Sequence, residues 1–339
     1  MDLVSIITTV KNGEKFVEKY SHSILNQDYN DVLELSVYDD GSTDNTFERL
    51  LAYKAKFEKR NIKLIIKRGT RGISKGVGYG KNRAIKASTG KFLCFLDIDD
   101  TMEPSRITKQ LQLAKNYPDS LIGCQFRREP ENSTQRYTKW ANRLNEHQLN
   151  IQIYTSHGPT IIMPTWFCSR QVWSKVGGFD ESGKGCPEDL LFFYQHIRLK
   201  GLIKRVDEIL LNYIYHPSAT TFSIDKETIW KYRVSFLEER VLRFWESFTI
   251  WNAGKQGRKL YRSLSKENKK KVIALCDVDK KKIDKFSYNS QEGPIPVIHF
   301  SKAESPFVIC VKLDLTNGSF ERNLESLNLK ENIDYVHFN

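Results

Sequence analysis

The chain lacks the features that would place it in a disulfide-stapled, zinc-binding or membrane-spanning class. Its six cysteines lie far apart, and none falls in a Cys-x-x-Cys or Cys/His ligand spacing. We therefore expect reduced core thiols. No apolar stretch approaches the ~20 residues that are needed to span a bilayer. No secretory signal peptide precedes the first strand-like run, so we expect a cytoplasmic protein that has no membrane partner.

What the chain has is length and positive charge. Its 339 residues, 40% apolar and 28% charged, are typical of a soluble globular protein with one large or two ordinary domains. The 53 Lys and Arg against 41 Asp and Glu give a net charge of +12. This charge fits either a polyanion partner or a generic basic surface. Between residues 255 and 285, however, 12 basic residues accompany 4 acids, and this concentration favours binding to a phosphate backbone.

An apolar run that ends in three carboxylates is the most informative feature. Phe92 to Leu96 reads as a buried strand, and Asp97, Asp99 and Asp100 follow it. Because side chains two apart on a strand share a face, Asp97 and Asp99 can bind one hard divalent cation. A lone Asp-x-Asp is more often a solvated acidic turn, so the interpretation depends on the motifs around it.

Strand and helix patterns alternate through the first 100 residues. We expect strands at Val4 to Val10, Leu33 to Tyr38 and Lys63 to Lys67. The second ends in Asp39-Asp40-Gly41-Ser42, and the third leads into a basic, Gly-rich loop from Arg68 to Arg83. This order predicts an open, mostly parallel α/β sheet whose ligand site lies at the carboxyl ends of the strands.

These segments together resemble the GT-A, family 2 type of inverting glycosyltransferases. The matching segments are Thr8 to Asn12, Asp39 to Ser42, Gly76 to Asn82, Asp97 to Asp99, and the pair Glu188-Asp189. This chain departs from the family pattern in having Thr9 where many members have Pro, Gly80 for Ala, and Lys81 for Arg. The resemblance implies a GT-A nucleotide-sugar binding sheet with flanking helices.

The resemblance also implies roles for individual residues. Asp189 would be the general base, and Asp99 and His216 would bind a divalent metal, Mn²⁺ or Mg²⁺. Asp189 could instead merely complement a helix dipole, and His216 could close a turn before Pro217. The residues implied for binding the nucleotide-sugar donor are Thr8, Val10, Asn12, Asp40, Gly76, Lys81, Asn82, Asp97 and Trp166.

The whole chain is similar to a narrower group, the queuosine-tRNA galactosyltransferases, also called β-1,3-N-acetylglucosaminyltransferase-like proteins. The segments that carry this similarity are 158–170, 187–194 and 251–264. The group implies transfer of galactose from UDP-galactose to queuosine at the wobble position of tRNA-Tyr. The alternatives are transfer of N-acetylglucosamine from its UDP derivative to galactose in a glycan, an inactive tRNA-binding protein, and an oxidoreductase that uses the C-terminal fold.

The second part of the chain predicts a separate, smaller α/β domain. We expect a GT-A domain at 1–225, a helical linker at 226–247 (a helical pattern runs from Trp230 to Trp245), and a basic Rossmann-like domain at 248–339. Strands at Phe248 to Trp251 and Lys271 to Cys276 resemble a dinucleotide-binding unit, but Asn252 replaces the first Gly of its fingerprint. We therefore favour tRNA phosphate binding by Lys255, Arg258, Lys259 and Arg262 over binding of NAD.

Two further segments carry expectations. Cations and aromatic residues alternate between Arg127 and Arg143. They form either a clamp for nucleotides or a surface helix with Tyr137, Trp140 and Leu144 as its core stripe, and both interpretations stay open. Ile161 to Phe167 reads as a strand.

Overall fold

The structure, a computed structural model, describes residues 2–216, 224–290 and 292–339. The chain forms two compact units, one of residues 1–150 and 159–225, the other of residues 151–158 and 226–339. The segment 226–247, for which the sequence predicts a linker, is part of the second unit. In the described ranges no helix has the length and apolar character that crossing a bilayer would require.

An eight-stranded mixed sheet forms the centre of the first unit. Its strands are β1 (Val4–Val10), β2 (Leu33–Asp39), β3 (Ile62–Arg68), β4 (Phe92–Phe95), β5 (Thr101–Met102), β6 (Ser120–Glu129), β7 (Phe167–Ser169) and β8 (Leu202–Ile214). They are ordered β3-β2-β1-β4-β7-β6-β8-β5. Only β7 and β5 run against their neighbours, so β1 to β4, β6 and β8 end at one edge. The predicted α/β fold is confirmed, with a more mixed sheet than the sequence indicates.

Nine helices pack on this sheet or connect its strands in the described part of the unit. They are α1 (Val17–Leu25), α2 (Thr46–Ala52), α3 (Lys54–Glu58), α4 (Val77–Ala87), α5 (Arg106–Asn116), α6 (Gln135–Arg143), α7 (Glu146–Ile151), α8 (Arg170–Val176) and α9 (Glu188–Arg198). Every residue of β2 is buried, as expected for a parallel strand that helices cover on both faces. Trp140 in α6 and Leu144 directly after it are 5% and 4% exposed, whereas Tyr137 is half-buried, so the predicted core stripe is confirmed for Trp140 and Leu144 only.

Two local predictions are wrong. The strand expected at Ile161 to Phe167 is a 3-10 turn at Met163–Thr165 followed by β7, because Pro164 has no N–H to donate to a sheet ladder. The Gly-rich segment is a loop only as far as Gly76, and α4 follows it. Position 78 of this helix requires glycine, because a β-carbon there would lie 2.0 Å from the Asp180 carbonyl oxygen.

The second unit has its own α/β sheet, as predicted. Its strands are β9 (Phe248–Trp251), β10 (Val272–Asp277), β11 (Ser287–Ser290), β12 (Gly293–His299), β13 (Phe307–Ile309) and β14 (Tyr335–His337). They are ordered β11-β12-β10-β9-β13-β14, and only β11 is antiparallel. The five parallel strands therefore follow the 3-2-1-4-5 order of a Rossmann sheet.

The helices of the second unit are α10 (Lys226–Leu237), α11 (Lys255–Ser263), α12 (Lys266–Lys270), α13 (Lys280–Ile283) and α14 (Ser319–Glu325). The helix predicted for Trp230 to Trp245 is α10 followed by a π-helical turn at Glu238–Leu242. The core includes Trp251, whose ring stacks on Phe300 with centroids 5.2 Å apart. All six cysteines are free thiols, of which five are buried and Cys186 is half-buried.

Candidate active site

Three carboxylates gather where β4 ends. Asp97, Asp99 and Asp100 each present an oxygen within 4.8 Å of the others. Burial raises the pKa of Asp97 to about 6, an effect that Lys81 opposes and that the charge of Asp99 reinforces. Burial likewise raises the pKa of Asp100 well above its ordinary value, and Asp99 adds to the effect. Acids held this close in a buried place are destabilised as anions, so the cluster favours a cation.

The neighbouring strand β8 completes this cluster. His216 follows β8, and its Nε2 lies 2.8 Å from Asp99 Oδ2. Asp100 Oδ1 accepts the Ile214 N–H at 2.9 Å, whereas the buried Asp100 Oδ2 has no hydrogen-bond partner in the described ranges. The structure thus brings together the two predicted metal ligands, Asp99 and His216. Pro217 lies outside the described residues.

The residues at the cluster fit a divalent metal. Its oxygen donors are carboxylates, which Mn²⁺ and Mg²⁺ prefer. One of these oxygens, Asp100 Oδ2, is buried without a donor to bond it. Asp100 was not among the ligands predicted from the sequence. The third acid of the Asp97-Ile98-Asp99-Asp100 run is the signal that could have identified it.

A second group of charges lies at the start of α9. Lys81 Nζ bonds Glu188 Oε1 at 2.9 Å, and both side chains are largely buried. Next to them, burial raises the pKa of Asp189 to about 6, with a further increase from Glu188 and an opposing effect of Lys81. The charges of Glu188 and Asp189 also act on Asp97. The predicted base and the acid cluster therefore belong to one electrostatic site.

Lys81 is only 3% exposed, and its ammonium is engaged by Glu188. Contact with a diphosphate, the role predicted for Lys81, stays a prediction. Glu188 was not among the predicted site residues, although it is the residue that positions Lys81. A buried lysine needs an acidic partner, but the sequence does not show that Lys81 is buried, so it carries no signal for this pairing.

The end of β2 orders the loop before α4. Asp40 is 4% exposed. Its carboxylate accepts the Ser74 hydroxyl at 2.5 Å and the N–H groups of Lys75 and Gly76 at 2.8 and 2.9 Å. Asp40 and Gly76, two residues predicted to bind the donor, are thus joined. Reading of a uracil by Asp40 stays a prediction.

The other residues predicted to bind the sugar donor differ in solvent exposure. Asn12, with φ of 53°, is exposed and accepts the Thr43 N–H at 2.8 Å, which joins the loops after β1 and β2. Thr8 and Val10 are buried in β1, and the Thr8 hydroxyl donates to the Leu96 carbonyl at 2.7 Å. Thr8 and Val10 therefore shape the floor of the site.

Asn82 and Trp166 also lie beneath the surface. The Asn82 amide donates to the Phe179 carbonyl at 2.8 Å and accepts the Phe179 N–H at 2.9 Å. Trp166 is 0% exposed and donates its indole N–H to the Ile161 carbonyl. Asn82 therefore supports the loop before α9, and Trp166 supports the segment before β7. Direct contact of Asn82 and Trp166 with a donor stays a prediction.

Two departures from the family pattern explain each other. A β-carbon at Gly80 would lie 1.9 Å from Thr9 Oγ1. The Thr9 hydroxyl therefore occupies the space that a methyl group at position 80 would need. The change from Pro to Thr in β1 and the change from Ala to Gly in α4 form one packing unit.

The basic residues predicted to bind tRNA differ in exposure and in whether they already pair with other groups of the chain. Lys255 and Arg262 are exposed. Lys259 pairs with Glu227 at 2.6 Å, and Arg258 donates to the Ala253 carbonyl at 2.8 Å. Lys266, one helix later, is also exposed. Only part of the predicted patch is therefore available to a phosphate.

The arrangement is typical of a nucleotide-sugar enzyme, with acids at the carboxyl edge of an α/β sheet and, beside them, a carboxylate whose pKa is raised. The profile described as "Glycosyl transferase family 2" matches residues 5–177, which is more than half of the chain. The chain belongs to this family.

Curated relatives are consistent with this membership. The chain is 28% identical to chondroitin synthase of Escherichia coli over 68% of its length, and 27% identical to an uncharacterized glycosyltransferase of Rickettsia typhi over 65%. The alignments span 32% and 66% of those two proteins, so the chain matches only part of each.

Solved structures show the same fold. S. aureus TarS residues 1–349 in complex with UDP-GlcNAc superposes with a TM-score of 0.55, at 17% identity, over 79% of this chain and 71% of that one. The mannosyltransferase PcManGT of Pyrobaculum calidifontis in complex with GDP-Man and Mn²⁺ gives 0.50 at 16% identity, over 70% and 64%. At this identity the likeness establishes the GT-A fold alone.

Proposed function

We propose that the protein is a metal-dependent, inverting glycosyltransferase that uses a UDP-sugar. The observation that carries this proposal is the electrostatic site formed by Asp97, Asp99, Asp100 and Asp189 at one edge of the sheet. A carboxylate whose pKa is raised to about 6 is still mostly ionised at neutral pH and is basic enough to accept a proton.

The reaction is a single displacement. The acceptor hydroxyl oxygen attacks the anomeric carbon, the bond from that carbon to the diphosphate oxygen breaks, and UDP leaves with the electron pair. Asp189 takes the hydroxyl proton as the new bond forms. Because attack comes from the side opposite the departing UDP, the configuration at the anomeric carbon inverts.

Asp97, Asp99, Asp100 and His216 would hold the metal. When bound, a divalent ion supplies positive charge that stabilises the departing diphosphate. Asp40 and the loop it orders would contact the uracil, and Lys81 would add positive charge near the phosphates. Asn12 would close the nucleotide side of the edge.

For the acceptor, we infer queuosine in tRNA, with galactose as the sugar. Two observations support this inference: the resemblance of residues 158–170, 187–194 and 251–264 to the queuosine-tRNA galactosyltransferases, and the basic residues of the second unit. The proposed site of action is the wobble position of tRNA-Tyr, in the cytoplasm. Transfer of N-acetylglucosamine to a glycan is the rival that the family fold favours, since UDP-GlcNAc is bound in the TarS structure.

One assay separates these acceptors. Purified protein is incubated with Mn²⁺, queuosine-containing tRNA and, in turn, UDP-galactose, UDP-glucose and UDP-GlcNAc, and the tRNA nucleosides are then weighed by mass spectrometry. We expect a hexose mass gain on queuosine with UDP-galactose. A parallel reaction contains galactose-terminated oligosaccharide, and transfer to that acceptor alone would overturn the tRNA proposal.

The basic residues of the second unit provide a separate test. Replacement of Lys255, Arg262 and Lys266 by Ala should raise the KM for tRNA. The salt dependence of binding should flatten by a slope of about 0.9 for each duplex phosphate that the variant no longer neutralises. Replacement of Lys19, Lys59 and Lys86, three exposed lysines of the first unit, removes the same charge and should leave both quantities nearly unchanged. Equal effects of the two triple variants would mean that only the net charge matters.

A further inference from the structure

One arginine near the acid cluster is held by aromatic rings instead of by an acid. The guanidinium of Arg128, near the end of β6, lies 4.4 Å from the ring centroid of Tyr213 and 5.1 Å from that of Tyr137. The rings of Phe126 and Tyr215 lie at 5.8 and 5.7 Å. In the ranges 2–216, 224–290 and 292–339 no carboxylate pairs with Arg128, and its buried Nε has no hydrogen-bond partner.

The register of the sheet brings Arg128 close to the proposed reaction centre. Arg128 pairs with Tyr213 and Glu129 pairs with Ile214, whose N–H is the donor to Asp100. Two residues later His216 contacts Asp99. Arg128 therefore lies one residue along the ladder from the strand position that holds the acid cluster.

Strand order indicates which substrate this cation faces. Asp40, at the end of β2, is two strands from β4 on one side, and Arg128, on β6, is two strands from β4 on the other. Neighbouring strands lie about 4.8 Å apart, so β6 is displaced by about 10 Å from β4, away from the nucleotide side. A cation in this position faces the acceptor half of the site.

An arginine held among aromatic rings keeps its charge and its fork of N–H donors. That fork is suited to a phosphate, and tyrosine rings around it are suited to stacking of bases. Resting on the proposed function, we propose that Arg128 binds a backbone phosphate of the RNA acceptor beside the nucleotide that receives the sugar. A phosphate-free glycan acceptor would leave Arg128 without a ligand.

The test compares two adjacent arginines. Arg127 lies on the opposite face of β6, exposed, and pairs with Glu103 at 2.8 Å, so R127Q removes the same charge from a residue that is already paired. Binding of a fluorescent, unmodified anticodon stem-loop is measured by anisotropy in the presence of Mn²⁺ and UDP. The proteins are wild type, R128Q, R128K and R127Q, and the affinity for UDP alone is measured for each by calorimetry.

We expect R128Q to weaken RNA binding by about 10- to 100-fold, as loss of a charge-assisted hydrogen bond does, and to lower the single-strand salt slope by about 0.7. R128K keeps the charge without the planar fork and should lose less. R127Q should bind RNA within about twofold of wild type, and UDP affinity should be the same in all four proteins.

The outcomes separate this inference from the proposed function. Unchanged RNA affinity in R128Q and R128K, with tRNA galactosylation intact in wild type, would overturn the role of Arg128 alone. Weaker binding of UDP by R128Q would assign the residue to the donor diphosphate and also overturn it. RNA binding that depends on Arg128 in a protein that transfers no galactose would support the inference and refute the proposed substrate. If wild type binds no RNA, both fail. If R128Q does not fold, the R128K variant is used instead: weaker RNA binding than wild type supports the inference, and unchanged RNA binding overturns it.

Discussion

The two sheets of this protein end in acids at corresponding edges, but those acids are in opposite electrostatic situations. In the first unit, Asp97, Asp99 and Asp100 crowd together, and burial raises the pKa of Asp97 and Asp100. In the second unit, Asp277 ends β10 in the position of the ribose-binding acid of a Rossmann sheet. There it accepts the N–H groups of Ala253, Val278 and Asp279 at 3.0 to 3.1 Å and pairs with Lys282 at 2.9 Å.

A hydrogen bond within the chain also spans the crevice of the second sheet. In a Rossmann sheet the ligand enters where the strand order reverses, here between β9 and β13. Asn252 bridges that point by donating its side-chain amide to the Cys310 carbonyl at 3.1 Å. The residue that replaces the fingerprint glycine therefore joins the two strands. Strand order alone does not create a ligand site, because the acid must also be left unsatisfied by its own backbone.

The largest expected effect concerns the base. Asp189→Asn should lower kcat by about 10²- to 10⁴-fold, because the amide cannot accept the hydroxyl proton. UDP affinity should stay nearly unchanged, since Asp189 acts on the acceptor. The measurement is turnover with calorimetry of UDP binding. Asp277→Asn, the same replacement at the other edge, is the matched control and should retain full turnover. Near-normal turnover of the Asp189 variant would reassign the base, with Glu188 as the next candidate.

Removal of the metal site should have the next largest effect. Asp99→Ala should weaken Mn²⁺-dependent UDP-sugar binding and turnover together. Loss of a residue that only supports a metal ligand typically costs about 10- to 100-fold, so loss of a ligand itself should cost at least as much. Treatment of wild type with EDTA should reproduce this loss, and added Mn²⁺ should restore activity to wild type. Full activity after thorough chelation would contradict the metal role. Binding would be followed by calorimetry with and without the ion.

Each unit has a helix glycine whose β-carbon would clash with a neighbouring strand or loop residue, so the cost of adding a methyl group can be compared between them. A β-carbon at Gly80 meets the Thr9 side chain at 1.9 Å, whereas one at Gly257 meets the Asn252 backbone oxygen at 1.8 Å. Gly80→Ala and Gly257→Ala should each lower the free energy of unfolding by about 1 to 3 kcal/mol, as overpacking does. Adding Thr9→Ala should rescue part of the loss in the first variant, because it removes the hydroxyl at 1.9 Å but keeps the β-carbon of residue 9 at 2.8 Å.

Denaturant unfolding of the single and double variants would measure this difference. Thr9→Ala added to Gly257→Ala is the control, and it should leave the destabilisation unchanged. Failure of Thr9→Ala to rescue any part of the Gly80→Ala loss would mean that the remaining neighbours, the residue-9 β-carbon at 2.8 Å and the Tyr38 ring at 3.2 Å, set the cost.

The smallest expected effect is a shift in pH dependence. Asp189 must be ionised to act, and its pKa is raised to about 6, so kcat should fall as the pH drops through this value. Glu188→Gln removes the negative charge that raises the Asp189 pKa and should move this acid limb to lower pH. The limb is measured from kcat across the pH range. A limb that moves to higher pH would mean that losing the ion pair with Glu188 weakens the effect by which Lys81 lowers the Asp189 pKa.

The sequence predicts β1 to β4, β9 and β10 well because their apolar runs are uninterrupted. β1 and β2 begin where Val4 and Leu33 were expected to begin them. It also predicts the order of acids at the edge, since an acid that follows a buried strand must emerge there. The inserted strand β7 was misplaced because the apolar run from Ile161 contains Pro164.

The partners of each polar group could not be predicted from the sequence. Nothing in the pattern indicates that Asp40 is held by residues 74–76, or that Lys81 is held by Glu188 more than 100 residues later. The alternation along β6 places Arg127 and Arg128 on opposite faces, but only the register with β8 identifies the aromatic neighbours of Arg128. Such pairings depend on long-range topology, which local periodicity does not encode.

The Thr9 and Gly80 pair also limits the order in which substitutions could accumulate in an ancestor with the common family residues. With this backbone, alanine at position 80 crowds the threonine side chain at position 9, so the two residues together cost stability. A history of single replacements would therefore pass through Gly80 first. The glycine would bring a small loss of helix stability of its own, roughly 1 kcal/mol in an exposed helix. Once threonine was present, reversion to alanine would cost stability, so the order of the two replacements would matter.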